Sequence, residues 1–390
     1  MLQTNLELVN AFTLRKQHLT HASKIYDIPM VVNDIVGLHA TGPTVPYLSL
    51  FARHPDFERR LLEDELYEKK SLAKIRCIRK TIFIHTREMI PVAYAATAAS
   101  VIEASRRYME ARGVSPNKYD EISKRILDLL SQEEMTASAI KEALDSPHDI
   151  SSILYFMCDQ GILIRSRPVK SWRDRNHRYA RFCDTFPGLD LNQYDEKEAI
   201  TRLIERYIAS FGPVTESDIL WWTGLGKNQI HLALEDLQAK VHTISITGLN
   251  GMHYALRSDL DTLSRLATPT GSTINLLPHL DPYLMGYKDR ERYIDPQDTS
   301  YVFDRSGNAT STILLNGKVI GLWDFQKGKV PIIKLLFLHQ PPPATKKEIL
   351  REAQRLGIFI AEEEVKVTER DTMTPLTERT AGGFMTPLKD

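Results

Sequence analysis

The stretch ILIRSRPVKSWRDRNHRYARF, residues 162–182, decides the fold. Residues 162–167 and 177–182 read as short strands, and the polar run between them reads as their connecting loop. What precedes this hairpin gives it a setting. Residues 121–130 carry apolar side chains at helical spacing, Thr136 opens a short helix over 137–144, and Pro147 breaks the chain. Residues 150–160 form a third helix that Gly161 ends. Helix, short helix, recognition-type helix and hairpin is the order of a winged helix, a variant of the helix-turn-helix.

The same order recurs on both sides. Downstream, helices are expected over 197–211, 215–223 and 227–237, then strands over 242–247 and 252–257. Upstream, helices over 6–19, 28–40, 45–52 and 57–70 lead into strands over 73–78 and 81–85, followed by a long Ala-rich helix over 87–112. Composition changes from about Ser272. Strands over 273–277 and 311–315, an Asn316-Gly317 hairpin turn, further strands over 318–325 and 332–338, and a helix over 346–356 describe a small α+β domain. The expected fold is therefore mainly α with small β-hairpins: tandem winged-helix units followed by a C-terminal α+β domain. The expected divisions are 1–114, 115–190 (with a basic wing), 191–268 and 269–365, with a disordered tail over 366–390 that repeats the phrase Met-Thr-Pro-Leu from Met373 and Met385.

Bulk properties narrow the class. Fifty basic and fifty acidic residues cancel over the 390-residue chain, but residues 1–183 carry 27 Lys and Arg against 22 Asp and Glu. The rest carry 23 against 28, so the front half is the one suited to a polyanion. No leader-like segment opens the chain, and no apolar run reaches the roughly 20 residues that span a bilayer. Cys77, Cys158 and Cys183 lie far apart without metal-ligand spacing, which reads as buried thiols in a reducing compartment. A cytoplasmic location is the expectation, with no membrane partner, metal or cofactor. Phosphate-cradling glycine loops, His-Glu-x-x-His, paired Cys-x-x-Cys and Gly-x-Ser-x-Gly are all absent, which argues against an NTPase, a zinc enzyme and an α/β-hydrolase.

Three places can carry function. The wing of the second unit places seven cations within 17 residues: Arg165, Arg167, Lys170, Arg173, Arg175, Arg178 and Arg181. Such a stripe suits phosphates, and Trp172 at its tip suits stacking on a base or wedging into a groove; the plainer alternative is a solvated hairpin with Trp172 packed on its own domain. In Gly37-Leu38-His39-Ala40-Thr41-Gly42-Pro43, His39 and Thr41 converge only where the helix stops, and Gly42-Pro43 supplies that stop. A water held there competes with a core histidine and a capping hydroxyl. In Leu277-Pro278-His279-Leu280-Asp281-Pro282-Tyr283, Asp281 is either a base or a turn organiser. Trp221-Trp222 reads as core packing.

Dispersed phrases add a resemblance. Ala11-Phe12-Thr13-Leu14-Arg15, Gly37-Leu38-His39-Ala40-Thr41, Arg79-Lys80-Thr81 and Tyr207-Ile208-Ala209-Ser210-Phe211-Gly212-Pro213 are followed by Trp221-Trp222-Thr223-Gly224, by Leu277–Leu284 with Gly286-Tyr287, and by Gly317-Lys318-Val319-Ile320-Gly321. In order and spacing these resemble the bacterial winged-helix family of YcaQ- and AlkZ-like DNA glycosylases. The resemblance implies a C-shaped array with its concave face on duplex DNA. It also implies monofunctional hydrolysis of the N-glycosidic bond of N7-alkylpurines, crosslinked ones included. His39-Ala40-Thr41 stands where that family has Gln-apolar-Gln or Gln-apolar-Asp, which marks a separate branch. Arg79 and Thr81 fall in its Arg-Gly-Thr-Leu-His phrase, here Arg79-Lys80-Thr81-Ile82-Phe83, and join the candidate DNA contacts.

The resulting expectation is a monomeric protein on double-stranded DNA, with His39, Thr41 and Asp281 as the catalytic candidates. His39 would accept the proton of an attacking water, Thr41 would orient it and Asp281 would supply negative charge. A non-catalytic regulator or lesion sensor is the alternative, and a protein-interaction scaffold is a more distant one.

Overall fold

The computed structural model describes residues 3–145, 148–267 and 271–378. The chain opens with strand β1 (Gln3–Asn5) and helix α1 (Leu6–Lys16), capped by the Asn5 side chain. A first unit follows: α2 (Ile28–Asp34), β2 (Leu38–His39), α3 (Val45–Arg53), α4 (Arg59–Glu63, extended by a π turn over Asp64–Glu68), β3 (Leu72–Arg76) and β4 (Ile82–Thr86). The long α5 (Met89–Ala111) leads to a second unit, α6 (Pro116–Leu130), β5 (Met135–Thr136), α7 (Ala137–Leu144), α8 (Ile150–Asp159), β6 (Leu163–Pro168), β7 (His177–Arg181) and the short α9 (Phe182–Thr185). The third has α10 (Glu196–Phe211), α11 (Glu216–Thr223), α12 (Lys227–Asp236), β8 (Val241–Thr247), β9 (His253–Leu256) and α13 (Arg257–Arg265).

The sheets identify the units as winged helices. Their orders are β2-β4-β3 and β5-β7-β6, so the strand before the second helix pairs with the last strand of the hairpin. In the third unit Val214 alone plays that first strand, bridging Tyr254 of β9. Its sheet is extended on the far side by β1, parallel to β8. This corrects the expected first unit: Val9 and Phe12 of α1 pack with Ile244, Ile246 and Leu263, so the N-terminal segment belongs to the third unit.

The remaining chain builds β10 (Ile274–Leu277), α14 (Pro282–Met285), α15 (Thr299–Val302), β11 (Thr312–Leu315), β12 (Lys318–Gln326), β13 (Ile332–Phe337), α16 (Pro343–Ala361) and β14 (Lys366–Glu369). They form a five-stranded sheet in sequence order, antiparallel until β14, which returns parallel to β13 after α16. Asn316 and Gly317, both at positive φ, make the tight β11–β12 turn. The expected tail is corrected over its first residues: Lys366–Glu369 is a sheet strand and Leu376 is buried. Its last phrase, from Met385, lies outside the described residues.

Two contacts fix the units around a common centre. Trp323, Leu335, Ile349 and Leu356 of the C-terminal domain share one apolar cluster with Ile28, Val31, Leu38 and Leu50 of the first unit. Beneath Leu280, Asp281 is completely buried and holds Arg53, equally buried, through two bonds of 2.8 Å, while Ser49 donates to it at 2.8 Å. None of the described helices is long and apolar enough to cross a membrane. Cys77 is buried, but Cys158 is half-buried and Cys183 exposed, which corrects the expectation of three buried thiols.

Candidate active site

Helix α2 stops earlier than its sequence pattern suggests. Val36 and Gly37 both take positive φ, and a Cβ at Gly37 would come within 2.6 Å of the His85 ring, so the chain turns there tightly. Leu38 and His39 then join β4 as an edge strand, with His39 opposite Phe83. The Gly42-Pro43 pair therefore does not end a helix; it turns the chain from β2 into α3. Gly42 lies against the ring of His279 on the C-terminal domain, 2.9 Å from where a Cβ would stand.

This turn forms one wall of a cavity of about 710 Å³ between the first and second units. Ala40, Thr41 and Gly42 line it from the first unit, with Lys74 and Arg76 of β3 and with Lys80 and Thr81 of the first wing. Ser105 and Tyr108 of α5, Tyr155 of α8, Arg165 of β6 and the second wing close the other side, and His279 and Leu280 the end. Five cations line it (Lys74, Arg76, Lys80, Arg165 and Arg175) against one carboxylate, Asp174. Tyr47, Tyr108, Tyr155, Trp172, His177 and His279 supply flat walls. A half-open, aromatic, cationic space of this size suits one nucleotide with its flanking phosphates.

The expected site residues divide. Thr41 faces the cavity, and its hydroxyl accepts from the Ile82 amide at 3.4 Å. His39 does not line it. Its ring is buried beside Phe83, and Nδ1 accepts a long 3.5 Å bond from the Thr41 amide, which makes it a support for the turn. Burial, with help from the His279 and Arg79 charges, pulls its pKa to about 3. A ring outside the cavity lining cannot take a proton from a water held there, which corrects the proton-acceptor role. Asp281 is also corrected: both oxygens go to Arg53 and Ser49, one caps α14 through the Tyr283 amide, and neither reaches the cavity.

The basic wing divides in the same way. Trp172 is not at a free tip. It is 7% exposed and sits between Tyr47 of α3 and Phe359 of α16, with the Arg59 guanidinium 4.5 Å from its ring. The expected wedge into DNA is thus replaced by a clasp that ties the wing to the first unit and the C-terminal domain. Arg173 reinforces it by donating to the Ile360 carbonyl, and Arg167 pairs with Glu68. Arg178 donates to the Glu134 carbonyl, and Arg181 pairs with Asp184. Lys170 is exposed. Only Arg165 and Arg175 of the seven line the cavity, as does Thr81 of the first wing. Arg79 instead stacks 4.1 Å from Trp221, joining the first unit to the third, while Trp222 stacks on Tyr207 in the core.

Sequence reasoning missed the most interior groups. Lys74 and Arg76 share the outward face of β3 because strand side chains alternate, a pattern legible in Ala73-Lys74-Ile75-Arg76. Asp174 interrupts the basic run of the wing, and nothing in its sequence setting marks it further. His279 was read only as part of a phrase; burial and the Arg175 charge pull it down to about 4. His177 also falls to about 4, by burial first and then by Arg165.

Three winged helices, two of which line a cationic, nucleotide-sized cavity, define a nucleic-acid-binding protein with an internal site. The chain belongs to the AlkZ-like DNA glycosylase family, whose profile matches residues 32–359. Its structure is similar to that of the DNA glycosylase AlkZ of Streptomyces sahachiroi, with a TM-score of 0.74 and 18% identity over 95% of this chain and 100% of that one. At that identity the likeness speaks for the fold. No curated protein is a significant match by sequence.

Proposed function

We propose that this protein releases N7-alkylated purines, bulky ones included, from duplex DNA by hydrolysing the N-glycosidic bond. The observation that carries the reading is the cavity at the Ala40-Thr41-Gly42 turn. It lies at the position of the family's catalytic motif, and it is a deep, half-open cleft rather than a basic surface.

The chemistry asks little of the site. Alkylation at N7 makes the base cationic, so the C1′–N9 bond breaks with its electron pair returning to the purine ring. Positive charge then passes to the sugar, and a water adds at C1′. Thr41 presents a hydroxyl to orient that water. Asp174 takes the role once expected of Asp281, because it is the carboxylate lining the cavity. Opposite an oxocarbenium sugar, a fixed negative charge is worth several kcal/mol of barrier. The water becomes strongly acidic once it bonds to that cation, so the weakly basic His279 suffices as its acceptor. Lys80 and Arg175 hold the flanking phosphates.

Release of N7-methylguanine from a defined duplex tests the reading. Wild-type protein should release the base, and Asp174→Asn should slow release by about 10²–10³-fold, the loss typical for one transition-state electrostatic contact. Wild-type protein that binds the alkylated duplex and releases nothing would overturn it and leave a lesion sensor.

A further inference from the structure

Lys74 handles no proton and no phosphate in base hydrolysis, yet it lines the site. It lies on the cavity face of β3, between the first unit and the second wing. Its amine donates to the Tyr67 hydroxyl at 2.7 Å, a neutral acceptor and not a carboxylate. The second wing covers it with Arg165 and His177, which line the same space. A solvated surface lysine has none of these features. A lysine held inside a pocket by a phenol is arranged as an amine nucleophile.

We propose that Lys74 gives this protein a second activity on DNA, an abasic-site lyase that cuts the strand through a Schiff base. The inference rests on the reading above only in placing a deoxyribose in the cavity. It departs from the monofunctional chemistry that the family resemblance implies.

The steps balance without any further reagent. The Lys74 amine adds to the C1′ aldehyde of the ring-opened abasic sugar, and loss of water leaves a C1′ iminium. The neutral imidazole of His177 takes the C2′ proton. The C3′–O bond then breaks, expelling the 3′-phosphate as the 5′-phosphate end of the downstream strand and leaving a C2′–C3′ double bond. Water hydrolyses the imine, returning the amine and releasing an unsaturated aldehyde on the upstream strand. Arg165 and Arg175 face the departing phosphate across the cavity. Burial, reinforced by the Arg165 charge and opposed by Glu63, draws the amine's pKa down to about 8. The free amine is thereby easier to reach at neutral pH than in a solvated lysine.

The test uses the full chain and a duplex with one preformed abasic site, made by removing a uracil. Because no alkylated base is involved, failure of base release and failure of this proposal are separate outcomes. Sodium borohydride should reduce the intermediate to a stable protein–DNA adduct, and peptide mass mapping should place the nucleotide on Lys74. Lys74→Met and Lys74→Arg should each lower adduct yield at least a hundredfold, the second while keeping the charge. Circular dichroism and the urea midpoint check that both are folded. Absence of an adduct with the wild type, mapping to another amine, or undiminished trapping by the folded variants would overturn the proposal.

Discussion

Replacing Asp281 with Asn separates a keystone from a catalytic carboxylate. The native carboxylate accepts four bonds of 2.8–2.9 Å: two from Arg53, one from Ser49 and one from the Tyr283 amide. Asparagine keeps one acceptor oxygen and turns an NH2 group toward a guanidinium, donor against donor. The Arg53 charge, 0% exposed, is then left inside without its counter-ion. Breaking one side of a buried pair costs about 3–5 kcal/mol, because the surviving charge is uncompensated. Whole domains are stable by only about 5–15 kcal/mol, so the loss is a large share. Urea unfolding followed by tryptophan fluorescence should show the first-unit and C-terminal transition moving down by roughly 1–2 M. Base release per folded molecule at low temperature should stay within about tenfold of wild type, against the 10²–10⁴ expected when an acid–base group is removed. A variant of unchanged urea midpoint that has lost release by more than a hundredfold would refute this reasoning and return Asp281 to the chemistry.

His39, His85, His253 and His279 are buried with pKa values pulled from 6.5 to about 3, 3, 4 and 4, mainly by desolvation. Below pH 6.5 the unfolded chain therefore binds protons that the native state refuses, and stability falls as pH drops toward 4, by about 1.4 kcal/mol per pH unit for each such group. Urea midpoints should be level above pH 7 and fall steeply below 6; a flat profile to pH 5 would contradict the burial. In the active site the same values mean that base release shows no histidine inflection between pH 5.5 and 8, a range over which an ordinary imidazole would titrate. Trp172→Ala should undo the wing clasp, since the ring is held by Tyr47, Phe359 and Arg59. Limited trypsin treatment should then cut at Lys170, Arg173 or Arg175 at least tenfold faster, and unchanged cutting would mean that the wing is held by its other contacts.

The winged-helix repeats were legible because each rests on local signals. Thr136 and Thr215 cap their helices as their sequence contexts suggest, and Gly224 ends α11 in the left-handed conformation. What failed was long-range. The apolar stripe of α1 says that the helix is buried on one side and not that its partner is β8, more than two hundred residues away. The periodic run through residues 28–40 reads as one helix because Val36 continues it. The strained turn at Val36-Gly37 is set by pairing with β4, which no local pattern contains. In the site, charge was visible and direction was not. Seven wing cations look equivalent in sequence, yet carbonyls or carboxylates of the first unit, the C-terminal domain and the second unit itself engage four of them.

That division of the cations bears on how the proposed reaction is driven. A cationic base entering a cavity lined by five cations and one carboxylate meets repulsion, while the phosphates on either side of it meet attraction. Binding energy is thus collected from the backbone, away from the bond that breaks. Only interactions that improve toward the transition state raise the rate, and here one does so without any new contact. As the C1′–N9 bond stretches, the purine loses its charge and is no longer repelled by its walls. The new positive charge appears on the sugar, where a single carboxylate such as Asp174 is placed to meet it. On this account neutral cavity histidines are an advantage, since protonating His279 would set another positive charge against the sugar. A glutamine at position 39 would also be largely redundant, because the turn it occupies needs a buried group that supports Thr41, which a neutral His39 supplies.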